Sequence, residues 1–198
     1  MPGGAVGIVV PHIDSVADAK RAVDAARYPP IGIRSLSGLL PHFGYRALSA
    51  REQMVQAEVL TFLVGIIETN EAIEQVDAIA AVPGLDALQV GTSDLSVSLG
   101  VPGELDHPRV QEAVHRTIEA CSRHGKIAAV GGAYRPDCLR LYAGMGIRML
   151  LVGNDLSLLV GALRERAFLA VNLLTVGKNY CARFPTLDLV VERLQRGP

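Results

Sequence analysis

Apolar residues along this chain fall into five short continuous runs, separated by longer stretches with helical spacing. The first run, Val6-Gly7-Ile8-Val9-Val10, stops at Pro11. Asp14 or Ser15 can cap a helix predicted to reach about Ala26, with Val16, Ala19, Val23 and Ala26 on one face. Residues 27–45 are irregular and rich in Gly, Pro, Ser and Arg, and a short helix is predicted from about Ser49 to Ala57. Leu60 to Ile67 reads as a buried strand, and Glu71 to Val82 as a helix closed by Pro83-Gly84. A strand follows at Ala87 to Val90, with Gly91 starting a turn. Pro108 suits the first turn of a helix ending at Gly125. Ile127 to Val130 and Arg148 to Val152 are strands, with a helix between them from Pro136 to Ala143. A long, mostly apolar helix is predicted from Asp155 to about Leu174.

Strands that are apolar throughout are buried on both faces, so this order predicts a parallel sheet covered by helices, the α/β class. Residues 1–174 make the domain and 175–198 a less regular tail, with Pro185 and Pro198 as breakers. A closed eight-stranded (β/α) barrel takes about 250 residues, and 198 residues with five strands fall short of that.

Composition narrows the function. Nineteen basic and 20 acidic residues give a net charge of -1, without the basic excess of a nucleic-acid binder. Aromatic residues are 5% and Trp is absent, so stacking platforms for bases are scarce. No apolar stretch approaches the roughly 20 residues of a membrane span, and no basic residue precedes the first apolar run as a secretory signal requires. Cys121, Cys138 and Cys181 are scattered and odd in number, which suits reduced thiols in the cytoplasm.

Two segments are alike: Leu88-Gln89-Val90-Gly91-Thr92-Ser93-Asp94-Leu95-Ser96 and Leu150-Leu151-Val152-Gly153-Asn154-Asp155-Leu156-Ser157. Each is a strand, a Gly, a polar turn and then Asp-Leu-Ser. Gly permits a sharp turn, the polar residues can cap a helix, and free N–H groups at a helix start can hold an anion. Ordinary strand-to-helix turns would look the same. Glu68 stands directly after an apolar strand, at the end where parallel α/β folds place their chemistry. It is read as a metal ligand or acid/base, or else as a helix-start carboxylate. Asp94 follows the next strand, so Glu68 and Asp94 would share one face and suit a hard ion such as Mg²⁺ or Mn²⁺. Asp155 is the competing ligand, and Asp94 is preferred.

His12 follows the first strand and can face this site, His42 lies in the long loop, and His107, His115 and His124 are read as surface residues. No HxxxH or HxH pair points to zinc, and no GxGxxG, phosphate loop or nucleophile elbow occurs. Arg34 can bind a carboxylate or be structural.

Several stretches together resemble the HpcH/HpaI aldolase (citrate lyase-like) family. They are Gly7 to His12, Ala26 to Arg34, Ile67-Glu68-Thr69 with Ala72, Ala80 to Gly84 and, most strongly, Val90 to Gly100. The resemblance runs from about residue 5 to residue 165. It implies a TIM-type (β/α)8 barrel acting as a carbon–carbon lyase next to a pyruvate-type 2-oxo acid. The substrate would be a 2-oxo-3-deoxy or 4-hydroxy-2-oxo acid, cleaved to or built from an aldehyde. Glu68 and Asp94 match the positions of the family's divalent-metal ligands. The metal, Mg²⁺ or Mn²⁺, would chelate the oxo acid and stabilise its enolate. Backbone N–H groups around Gly91, Thr92 and Ser93 would hold the substrate carboxylate. A homo-oligomer is also implied, with the helix after Asp155 as a contact, although an ordinary barrel helix reads the same. No nucleic-acid or membrane partner is implied.

The resemblance also shows what this chain departs from. Family members carry roughly 80 further residues ahead of Val6, in keeping with barrels of about 250 residues. That region supplies three strands, a His in an Asp-x-Glu-His stretch and an Arg. Those roles pass neither to His12 nor to Arg34, and Ile66 stands where some members place Gln. The expectation is therefore a partial barrel missing roughly its first three strands, with exposed sheet edges. Three accounts compete: a start recorded too late, strands supplied by another chain, or a decayed paralogue that is weakly active or only binds an oxo acid or a homologous subunit. Lyases acting on malyl or citramalyl thioesters are the third-ranked function, since no basic nucleotide-binding surface is evident.

Overall fold

The computed structural model describes residues 3–175. The chain divides into two compact units, Met1–Val152 and Gly153–Pro198.

The first unit is a five-stranded parallel sheet whose strands run in chain order, β1-β2-β3-β4-β5. The strands are β1 (Gly7–Val10), β2 (Phe62–Ile67), β3 (Ala87–Gly91), β4 (Ile127–Gly131) and β5 (Met149–Leu150). The connecting helices are α1 (Val16–Ala26), α2 (Ala50–Leu60), α3 (Asn70–Glu74), α4 (Val76–Ala80), α5 (Thr92–Ser98), α6 (Pro108–Arg123) and α7 (Pro136–Met145). Each strand pairs with the next, as in Val9 with Val64, Ile66 with Gln89, Gly91 with Gly131, and Val130 with Leu150.

Side chains alternate across a strand, so each strand has two faces. Leu63, Ile67, Leu88, Val90, Ala128 and Val130 turn toward the helices, where they pack with Ala19, Val23, Ile73, Ile79 and Val114 in one core. That burial is the main stabilising term, since each fully buried Leu, Ile or Val contributes roughly 1.5–3 kcal/mol. The opposite face presents Val64 and Ile66, then Ala87, Gln89 and Gly91, then Ala129 and Gly131. Its residues are small toward β4, and Val9 and Leu151 at its two sides are exposed.

Local chemistry sets the helix boundaries. The Ser15 hydroxyl accepts from the Asp18 N–H at the start of α1. Ser49 and Glu52 exchange bonds in a capping box that starts α2. Helix α7 ends at Gly146, which takes a φ of 111° that a side chain would strain.

The sequence reading needs four corrections. Strand β2 starts at Phe62 rather than Leu60, because α2 runs through Leu60 and leaves Val59 and Leu60 exposed. The helix expected from Glu71 to Val82 is two short helices, α3 and α4, meeting at Gln75 (φ -105°, ψ 5°). The last strand is Met149–Leu150, shorter than Arg148 to Val152. Gly91 closes β3, and its φ of -84° lies outside the left-handed region, so sharp turning is not what requires a glycine there.

The described part of the second unit is one helix, α8 (Asp155–Thr175), started by Asn154, whose side-chain oxygen accepts from the Ser157 N–H. Leu156, Leu158, Leu159 and Val160 fall at successive angles round its axis, so they do not form one narrow apolar stripe. Among the described residues no helix is long and apolar enough to cross a membrane. The tail from residue 176, with Cys181, lies outside the described residues.

Cys121 and Cys138 are both buried and unbonded. Burial pushes the Cys121 thiol up to about 11 and raises that of Cys138. Only the thiolate attacks a disulfide reagent. A Cys181→Ser chain is therefore expected to show no fast-reacting thiol toward Ellman's reagent at pH 8, and two after unfolding in guanidinium. A fast native reaction would contradict this burial.

Candidate active site

The site is built where β2 and β3 end. Ile67 pairs with Val90, so the next residues, Glu68 and Gly91, stand opposite each other. Glu68 continues the alternation of Val64 and Ile66 and turns to the face away from the helices. It is 6% exposed. A carboxylate so buried must be met by donors, because an uncompensated charge costs several kcal/mol.

The donors come from the loop after β1. The His12 backbone N–H donates to Glu68 Oε1 at 2.9 Å, and His12 Nδ1 lies 2.8 Å from the same oxygen. Glu68 Oε2 turns the other way, toward Gly91. A Cβ added to residue 91 would meet Oε2 at 3.1 Å, the Glu68 Cβ at 3.2 Å and Ile66 Cγ2 at 3.0 Å. Gly91 is therefore a point of close approach, where an added Cβ would press on Glu68 and Ile66.

After Gly91 the chain enters α5 without any side chain capping its first turn. The N–H groups of such a turn have no acceptor within the helix. Thr92 is fully buried, and its hydroxyl donates to the Gly131 carbonyl at 2.9 Å, tying the turn to β4. Gly132 (φ 89°) admits this contact, since a Cβ there would meet Ser93 Oγ at 2.8 Å and Thr92 Oγ1 at 3.0 Å. Ser93 and Asp94 are exposed, with Asp94 in the first turn of α5.

The structure thus brings Glu68 and Gly91 together directly, and places Thr92, Ser93 and Asp94 in the turn leaving Gly91. Asp155 starts α8, in the other unit. Among the described residues, no three His, Cys, Asp or Glu side chains form a ready-made metal cage. What the structure offers a hard divalent ion is the Glu68 carboxylate, with Oε2 beside Gly91, and ions such as Mg²⁺ are commonly held by one or two carboxylates plus water and substrate oxygens. Arg34 lies over the Tyr28 ring, 4.7 Å from its centroid. His42 contacts the Ala5 carbonyl, His107 caps α6, and His124 meets Asp77, so these three have structural partners.

One residue gains a partner and another a place that sequence reasoning did not assign. His12, read as able to face the site from its position after a strand, has its ring bound to Glu68. Gln89 lies on the same face as Glu68, buried to 3%, with its Oε1 lacking a partner and its Nε2 2.6 Å from where a Gly131 Cβ would sit. The signal for Gln89 was an amide inside an otherwise apolar strand.

A parallel α/β sheet with a buried carboxylate at the carboxyl ends of its strands defines the class of proteins that place chemistry on that rim. Comparison with known proteins makes this specific. The family profile described as HpcH/HpaI aldolase/citrate lyase matches residues 1–162. The chain belongs to this family. It is 39% identical over 162 residues to a 4-hydroxy-4-methyl-2-oxoglutarate aldolase of Hapsidospora irregularis, covering 80% of this chain and 60% of that one. It is 37% identical over 164 residues to a hydroxypyruvate/pyruvate aldolase of Pseudomonas aeruginosa, covering 83% and 60%. The crystal structure of an HpcH/HpaI aldolase from Desulfitobacterium hafniense superposes with a TM-score of 0.74 at 28% identity, covering 87% of this chain and 64% of that one. The chain spans about 60% of the length of the curated relatives it matches.

Proposed function

We propose that the protein is a divalent-metal-dependent aldolase that cleaves or forms the carbon–carbon bond beside a pyruvate-type 2-oxo acid. The observation that carries this reading is the Glu68 carboxylate, buried at the end of β2, with one oxygen turned to Gly91, from which the chain enters the turn bearing Asp94. Relatives named as aldolases of 4-hydroxy-4-methyl-2-oxoglutarate and of hydroxypyruvate and pyruvate support the same substrate class.

Glu68 and Asp94 are the residues that would hold Mg²⁺ or Mn²⁺. When bound, the ion supplies Lewis-acid stabilisation of the negative charge that develops on a 2-oxo acid as its C3–C4 bond breaks. The chain's own residues orient the substrate. The uncapped turn at Thr92 and Ser93 offers N–H groups to the carboxylate of the oxo acid. Gly91, without a Cβ, lets the Glu68 carboxylate lie against the start of this turn. Thr92, anchored to the Gly131 carbonyl, keeps the turn fixed against β4.

On this reading the five strands are one arc of a (β/α)8 barrel, and the face bearing Ile66, Glu68, Gln89 and Gly91 is its interior. Consecutive strands pairing in chain order support it, as does an interior-type face of small residues at Ala87, Gly91, Ala129 and Gly131. Within the described residues the arc is roughly three strands short of the eight that close such a barrel. By resemblance to the family the protein is proposed to be a homo-oligomer, and its small-molecule partners a 2-oxo acid and an aldehyde.

The test is a retro-aldol assay. The chain is incubated with Mn²⁺ and a 4-hydroxy-2-oxo acid, and pyruvate is read by coupled reduction. Pyruvate release that stops on chelation is the expected result. Mn²⁺ binding without any pyruvate release across 4-hydroxy-2-oxo acids would overturn the aldolase assignment.

A further inference from the structure

We infer that His12 is a positioning residue for Glu68, holding one carboxylate oxygen so that the other is presented to the metal; this rests on the metal reading above. His12 makes two contacts to one atom. Its backbone N–H and its ring Nδ1 both reach Glu68 Oε1, at 2.9 and 2.8 Å. Two donors on one oxygen fix the carboxylate plane and leave Oε2 as the oxygen facing Gly91. Nδ1 carries the proton in this pairing, because the oxygen opposite it can only accept.

The backbone supports the assignment. His12 takes φ 55°, in the left-handed region that a residue with a Cβ enters at a cost of about 1 kcal/mol or more. Such a conformation persists only where neighbouring contacts hold it. Here they do. The Ile13 N–H donates to the Ile66 carbonyl at 3.1 Å, and the Thr69 hydroxyl donates to Asp14 Oδ1 at 2.6 Å. The loop after β1 is therefore stitched to the end of β2 on both sides of Glu68. The His12 side chain is 75% exposed. It buries little apolar surface, so packing alone does not explain its geometry. Partners that orient a ligating carboxylate typically change metal affinity by about 10-fold to 100-fold when removed.

The test uses the full chain and Mn²⁺ alone, with free Mn²⁺ counted by its EPR signal. His12→Gly keeps the backbone N–H and relaxes the left-handed strain, so it removes the ring without threatening the fold. His12→Asn tolerates the same backbone region and restores a side-chain N–H donor near the position of Nδ1. The expected result is Mn²⁺ affinity weaker by about 10-fold or more in His12→Gly, recovery of most of that loss in His12→Asn, and thermal midpoints no lower than that of the unaltered chain by more than a few degrees. Unchanged affinity in His12→Gly overturns the inference. So does an Asn variant as weak as the Gly variant, which would mean that the imidazole itself is required. An unaltered chain that takes up no Mn²⁺ overturns the metal reading as well, so the two failures are distinguishable.

Discussion

Glu68→Gln is expected to abolish Mn²⁺ uptake while leaving the fold intact. The variant separates charge from shape. A glutamine placed as Glu68 is keeps a carbonyl oxygen that can accept from the His12 N–H and ring at the Oε1 position. It loses the negative charge and presents an amide NH₂, a donor only, where Oε2 faces Gly91. Hydrogen bonds to a charged acceptor are worth about 1 kcal/mol more than neutral ones, and that sets the size of the stability loss. The metal loss is larger. Changes that merely reorient a ligand cost up to about 100-fold, and removing the ligand itself exceeds that. Titration of Mn²⁺ by EPR, run beside thermal unfolding, decides the matter. Affinity within threefold of the unaltered chain would remove Glu68 from the metal site and with it the main support for the proposed chemistry. Asp94→Asn is expected to act in the same direction with less effect, because Asp94 is solvent-exposed and water can replace its oxygen.

Some of this site was legible in the sequence, and the reason is the parallel sheet. Buried strands are apolar throughout, so a carboxylate at the end of one, such as Glu68 after Ile67, stands out. The helical stretch from Glu71 to Val82 was also legible, and its Ile73, Val76, Ile79 and Ala80 are buried. The break at Gln75 was not, because it changes the hydrogen bonding without moving the apolar face. Helix α5 was hidden for a different reason: Thr92 to Ser98 is mostly Ser, Thr, Asp and Val, residues with weak helix propensity. Leu60 misled because an apolar residue at a helix end looks like the first residue of the strand that follows. The pairing of His12 with Glu68 spans 56 positions and depends on a left-handed histidine, which no local pattern announces. Gly91 was read as a sharp-turn glycine, whereas the structure shows ordinary φ there and a close approach by Glu68 and Ile66.

At the opposite end of the strands the charged residues do a different job, and Arg27→Met is expected to show it. Arg27 is 3% exposed. Its Nε donates to the Gly84 carbonyl at 2.9 Å, its Nη1 to Glu58 Oε1 at 2.9 Å and the Thr61 carbonyl at 3.1 Å, and its Nη2 to Asp86 Oδ2 at 2.5 Å. The same Asp86 oxygen accepts from the Leu63 N–H at 2.6 Å. One planar guanidinium thus joins the end of α1, the entry to β2 and the entry to β3. Methionine fills much of the stem volume but supplies none of these donors. Breaking a buried ion pair by removing one partner costs about 3–5 kcal/mol. Glu58 and Asp86 are each about one-third exposed, and water reaching them holds the cost at the lower end. A loss of about 3 kcal/mol lowers the unfolding midpoint of a domain this size by roughly 6–12 °C. Arg27→Lys should recover less than half of it, because an ammonium cannot point donors in three fixed directions. Mn²⁺ affinity of the folded variant should stay unchanged, since residues before the strands serve stability and those after them serve chemistry. A midpoint within 2 °C of the unaltered chain would show that the network contributes little. A large fall in Mn²⁺ affinity with the midpoint preserved would show that the two ends of the sheet are coupled, and that the division of labour drawn between Asp86 and Glu68 is wrong.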